Sequence, residues 1–135
     1  MKQGEIKFRV WDKILKFMRI PTQLTFHGNG EYSGFWVEGS AFSNKENYEL
    51  MQYTGLKDKN GKEIYEGDLF DCIYKFDGCN RHKLVVGWNE SSASFKLRGY
   101  GMCHQPNIEK TMGDLERLTV IGNIYENTEL LEGDK

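Results

Sequence analysis

Four residues in the second half of the chain carry the donor atoms a metal would need. Cys79 and His82 form a Cys-x-x-His pair, and Cys103 and His104 follow side by side further on. Zinc takes four nitrogen or sulfur ligands tetrahedrally, so Cys79, His82, Cys103 and His104 are the set that would have to converge. Adjacent residues such as Cys103 and His104 seldom both turn onto one ion, and the spacing is not that of paired knuckles. Loop residues with incidental thiols are therefore the preferred reading, with no metal and no cofactor expected. Nor does adjacency make Cys103 a nucleophile, because a working Cys–His pair depends on spatial geometry.

A second cluster is acidic. Glu63, Glu66, Asp68 and Asp71 could in principle hold Mg²⁺ or raise one another's pKa values. Their spacing mixes turn with strand, so the four would not share a face, and Asp68 is better placed to accept backbone N–H groups in a turn. Gly28-x-Gly30 is no phosphate loop, since it lacks both the lysine and a preceding buried strand. No catalytic residues are assigned, and the protein is expected not to be an enzyme.

The N-terminal segment is the more informative one. Lys7, Arg9, Lys13, Lys16 and Arg19 interleave with Trp11 and Phe17, the composition of a surface that neutralises phosphates and stacks bases. The competing reading packs the aromatics inward and leaves the lysines to water. A third sets this basic stretch against the acidic C-terminus (Glu126, Glu129, Glu132, Asp134) of a neighbouring copy. Lys7, Arg9, Trp11, Lys13, Lys16 and Arg19 are accordingly the candidate interaction surface. A protein partner or self-association is preferred, and nucleic acid is the alternative.

These residues need elements to hold them. Residues 6–10 alternate with a period of two, which favours a strand. Asp12-Lys13 reads as a turn and residues 14–20 as the returning strand, closed by Pro21. Short strands are expected near 24–27 and 34–38, among glycine-rich turns. A strand follows over 48–54, then a tight turn at 57–61, where Asn60-Gly61 would supply positive φ. Alternation resumes over 69–76; 83–88 and 94–98 read as a hairpin, 111–117 as a helical turn, and 118–125 as the last strand. Short strands at close spacing with glycine turns point to a small barrel or sandwich.

Composition bounds the rest. The chain has 135 residues, 18 Lys+Arg against 20 Asp+Glu, and 13% aromatics, which suits one small β-rich protein rather than a disordered chain. The net charge of −2 excludes a strongly basic nucleic-acid coat. It also conceals a gradient: six basic and two acidic residues over 1–20, against three and seven over 101–135. No apolar run is long enough for a membrane span, and residues 1–10 lack a signal peptide's apolar core. Three cysteines, an odd number, argue against a secreted disulfide framework and for a reducing cytoplasm.

The block at 50–68, Leu-Met-Gln-Tyr-Thr-Gly-Leu-Lys-Asp-Lys-Asn-Gly-Lys-Glu-Ile-Tyr-Glu-Gly-Asp, resembles the signature of the YopX family of phage and prophage proteins. Ile-Lys-Phe-Arg-Val-Trp-Asp at 6–12 resembles that family's opening strand, and Ile-Gly-Asn-Ile-Tyr-Glu-Asn at 121–127 its closing one. The resemblance implies a prophage-encoded accessory protein of unknown function, acting in the cytoplasm of a bacterial host. It implies an SH3-like barrel in the C-terminal part and brings no agreed catalytic residues.

The expected architecture is mainly β with little helix: an N-terminal β-hairpin and short-strand subdomain over 1–47, and an SH3-like barrel with an acidic tail over 48–135. Within the signature block, the glycines and Asn60 have backbone reasons to be present. Gln52, Tyr53, Lys57 and Tyr65 do not, and they form the candidate ligand or partner loop.

Overall fold

The computed structural model describes residues 4–71, 83–100, 109–110 and 118–131. Among these the protein is mainly β, with antiparallel, curled sheets and only short 3₁₀ turns. The chain divides into two compact units, Glu5–Gln52 and Tyr53–Lys135 with Met1–Gly4, so the division falls inside one long strand.

In the Glu5–Gln52 unit, β1 (Phe8–Asp12) pairs with β2 (Phe17–Arg19) on one side and with the first half of β6 (Tyr48–Lys57) on the other. A second sheet is built from β3 (Gln23–Phe26), β4 (Tyr32–Trp36) and β5 (Ser43–Asn44) in that order. Val10, Trp11, Phe35 and Met51 are the buried apolar residues of the Glu5–Gln52 unit. The first hairpin differs from the sequence expectation at its tip. Residues 13–16 form the turn instead of starting the return strand, because Asp12 Oδ1 accepts the N–H groups of Ile14 (2.9 Å) and Leu15 (2.8 Å). An aspartate that takes two backbone donors offers the chain a turn in place of a ladder. Lys16, at φ 58, completes it.

In the unit from Tyr53, the second half of β6 pairs with β7 (Glu63–Tyr65). Four further strands follow one another across a sheet: β8 (Asp68–Asp71), β9 (Lys83–Asn89), β10 (Ser94–Tyr100) and β11 (Glu109–Lys110). The last strand, β12 (Val120–Asn123), returns to pair with β8. This curled five-stranded sheet is a half-barrel, compatible with the SH3-like barrel that the resemblance implies. Its core is Ile64, Phe70, Leu84, Val86, Leu97 and Val120, with Leu118 packed against it. Leu84, Val86 and Trp88 share one face of β9; the first two reach the core, whereas Trp88, near the strand's end, lies beyond it and is 47% exposed.

The turn at 58–62 forms where expected but by different geometry. Only Gly61 takes positive φ (82°), Gly61 N donates to Asp58 O, and Asp58 N donates to Lys62 O. That is a type I turn closed by a glycine bulge, so Asn60 keeps ordinary φ. The loop between β3 and β4 repeats the device with Gly30. The helical turn expected at 111–117 and the continuation of β8 beyond Asp71 lie outside the described residues.

Candidate functional site

The register of β1 separates the candidate interaction residues. Arg9 and Trp11 share a face with Met18, Glu49 and Met51, whereas Arg19 stands opposite Val10 on the other face. Trp11 is buried, only 6% exposed. The cations are partly engaged: Lys7 pairs with Glu5 at 3.0 Å, Lys13 with Glu49 at 2.8 Å, and Arg9 Nε approaches Met51 Sδ at 3.4 Å. Arg19 donates to Ser40 Oγ and lies 5.3 Å from the Phe17 ring centre. Lys13 and Lys16 remain exposed at the hairpin tip.

Between those two lysines stand Ile14 and Leu15, 66% and 68% exposed. The tip is thus an apolar pair bracketed by positive charge, fixed by the Asp12 carboxylate. The sequence places a turn at Asp12-Lys13 and Ile14 and Leu15 in the returning strand; the structure extends that turn through Lys16.

The β3–β4–β5 sheet carries a second exposed apolar surface that the sequence did not reveal. Tyr32, Gly34 and Trp36 alternate onto one face of β4. Phe42 lies against that face at Gly34, where an added Cβ would stand 2.6 Å from Phe42 Cζ and 2.3 Å from Ser43 O. The Trp36 and Phe42 ring centres are 5.6 Å apart, and Phe26 meets Tyr32 edge-on at 6.3 Å. Phe26, Trp36 and Phe42 are 59%, 39% and 43% exposed. The Tyr32 hydroxyl is buried and has no hydrogen-bond partner among the described residues, and its burial raises its pKa. Of the ten large apolar side chains left well exposed among the described residues, eight lie in Glu5–Gln52.

The signature-block candidates part company. Tyr53 and Tyr65 face each other across β6 and β7 with ring centres 5.5 Å apart, and Tyr53 is buried. Lys57 is exposed and pairs in register with Glu63, while Gln52 pairs in register with Phe8. The dominant polar residue of the block is one the sequence analysis left unremarked. Asp58 is 6% exposed. Its Oδ1 accepts from Asn60 N (2.8 Å) and Lys62 N (2.9 Å), and its Oδ2 from Val120 N (2.9 Å). Burial alone would raise its pKa; the Val120, Lys62 and Asn60 N–H groups and the Lys62 charge outweigh that and lower it.

Asp68 accepts from Tyr65 N at 2.8 Å and is buried in the turn role expected of it. Asp71 lies on the other face of β8 and pairs with Lys83. Asn123 performs a related task at the chain's other signature: its Oδ1 accepts from Tyr125 N and Glu126 N, and its Nδ2 donates to Glu126 Oε1. Cys79, His82, Cys103 and His104 lie outside the described residues, among which no group of three or more His, Cys, Asp or Glu could hold a metal. Among the described residues no helix is long and apolar enough to cross a membrane.

The geometry agrees with what comparison with known proteins gives. The chain is similar to the solved structure titled "Crystal structure of protein EF1440 from Enterococcus faecalis", with 27% identity and a TM-score of 0.67 over 96% of this chain and 100% of that one. No curated protein matches it. The profile described as "YopX protein" matches residues 7–132, nearly the full length, and all three blocks noted in the sequence fall within or at the edge of that span. The chain belongs to the YopX family.

Proposed function

We propose that this is a non-enzymatic interaction protein, a phage-type accessory factor of the host cytoplasm, whose contact element is the β1–β2 hairpin tip. The observation that carries the reading is Ile14 and Leu15, both about two-thirds exposed, held between Lys13 and Lys16 by Asp12. Adjacent exposed aliphatics on a hydrogen-bonded turn supply the kind of contiguous apolar surface that contacts use. The bracketing lysines select a protein surface that is apolar at its centre and acidic around it. Nucleic acid is the weaker occupant, because Trp11 is buried and unavailable for stacking, and Lys7 already faces Glu5.

The test is in-cell cross-linking of tagged protein, wild type against Ile14→Ser/Leu15→Ser. Adducts lost in the double variant, with folding intact by circular dichroism, support the tip as the contact. Adducts unchanged by the substitution refute it. Salt-sensitive retention of wild type on DNA or RNA, removed by Lys7→Ala/Arg9→Ala, would instead favour the nucleic-acid alternative.

A further inference from the structure

The Glu5–Gln52 unit contains a surface with the chemistry its own hairpin tip selects. Residues 5–20 carry five basic and two acidic groups, and residues 21–52 one basic and four acidic, so the unit is +3 on its hairpin and −3 over the remainder. The acidic part includes the β3–β4–β5 sheet with its exposed Phe26, Trp36 and Phe42. Glu31 and Glu38, both exposed, stand at the two ends of β4. An apolar centre with acidic ends is the complement of Ile14-Leu15 between Lys13 and Lys16.

We infer that the partner is a second copy of this chain: the hairpin tip of one copy seats on the aromatic face of β3–β4–β5 in the next, Ile14 and Leu15 against Trp36 and Phe42. This rests on the tip being the contact element. Tip-to-tip pairing is disfavoured because it would oppose four lysines. The acidic C-terminal turn is a poorer seat. Glu126 and Glu129 there bond to Asn123 and Asn127, and none of the large, well-exposed apolar side chains among the described residues belongs to it. Tip and face are different patches, so two copies either exchange tips in a two-fold, isologous pair or join head to tail in a heterologous ring or open row.

Sedimentation velocity across protein concentration, at low and high salt, tests this with two charge-reversed variants. Lys13→Glu/Lys16→Glu has an acidic tip and an acidic face; Glu31→Lys/Glu38→Lys has a basic tip and a basic face. Wild type should self-associate, more weakly in salt. Each variant alone should be weakened about tenfold, as expected for reversing a pair of rim charges. An equimolar mixture of the two should regain association, because acidic tips then meet basic faces. Lys16→Glu alone leaves the Lys13–Glu49 pair intact and should show the same direction of change. In a Trp88→Phe background, Trp36 emission should shift to the blue on concentration, since Trp11 is already buried.

A wild type that stays monomeric at high concentration and low salt overturns the second-copy inference. So do variants that associate like wild type, or a mixture that fails to recover. If wild type is monomeric yet its cellular adducts vanish in Ile14→Ser/Leu15→Ser, the tip reading stands and only the partner is wrong. Self-association that this double substitution leaves untouched overturns both.

Discussion

Replacing Asp58 removes one carboxylate and strands three backbone donors. Asn60 N and Lys62 N lie in its own turn, while Val120 N belongs to the closing strand. A hydrogen bond to a charged acceptor contributes about 1.5–3 kcal/mol, and a buried donor left without a partner costs about 1–3 kcal/mol. The three bonds share one side chain and are not additive, so Asp58→Ala should destabilise the Tyr53–Lys135 unit by about 3–5 kcal/mol. That is a large part of the ~5–15 kcal/mol by which a domain is usually stable. Asp58→Asn separates the contributions. Its single oxygen can still accept from Asn60 and Lys62, but its amide would face the Val120 N–H donor to donor, for a cost of about 2–3 kcal/mol.

The pH dependence has a definite sign. The folded carboxyl titrates below its unfolded value. Its stabilisation is therefore complete above the unfolded pKa and is lost as pH falls through the folded one. Wild type and Asp58→Asn should differ most near neutrality and converge in acid. Urea unfolding gives the free energies, and amide exchange at Val120 localises them. The reasoning fails if Asp58→Ala unfolds within about 0.5 kcal/mol of wild type, the range of an ordinary surface change. It also fails if Val120 exchange is unaltered in a variant that is otherwise destabilised.

Gly34→Ala should loosen the β3–β4–β5 sheet by about 1–3 kcal/mol, because its Cβ would meet the Ser43 carbonyl at 2.3 Å; exchange over 32–44 should rise. Gly122→Ala should be destabilising through displacement of Asn127, whose Oδ1 would lie 2.4 Å from the new Cβ and now accepts from Asn123 N. A double-mutant cycle with Asn127→Ala should give less than the sum of the single effects, and additivity would contradict the clash. Tyr32→Phe removes a buried hydroxyl that has no partner among the described residues, so thermal melting should show equal or higher stability; a marked loss would reveal a partner for that oxygen.

Much of the fold could be read from the chain. The period-two runs at 83–88 and 94–98 are β9 and β10 because one face of each strand is core and the other is not. The turn at 58–62 was legible from Asn60-Gly61, although its type was not, since a glycine bulge and a mirror-image turn share that dipeptide. Two kinds of information were absent. Whether Trp11 is buried depends on what covers the second face of β1, which alternation does not report. The acceptor role of Asp58 toward Val120 joins positions 62 apart, beyond any local pattern. The candidate site suffered from both: basic residues were conspicuous by type, whereas the apolar tip and the aromatic face become visible only when exposure is known.

That same long-range bond also orders events during synthesis. By the time residue 52 has been added, β1 to β5 and the first half of β6 have all the strand partners described for them. The Asp58 carboxylate comes soon afterwards, but the N–H it needs is 62 residues away, near the end of the chain. Until then Oδ2 lacks that donor, although the local bonds of Oδ1 to Asn60 N and Lys62 N need nothing beyond the turn itself. Non-local closure of this kind is slow relative to hairpin formation. Every strand pairing of the Glu5–Gln52 unit is therefore available before β12 is synthesised, whereas the β8–β12 pair that closes the half-barrel can form only after it.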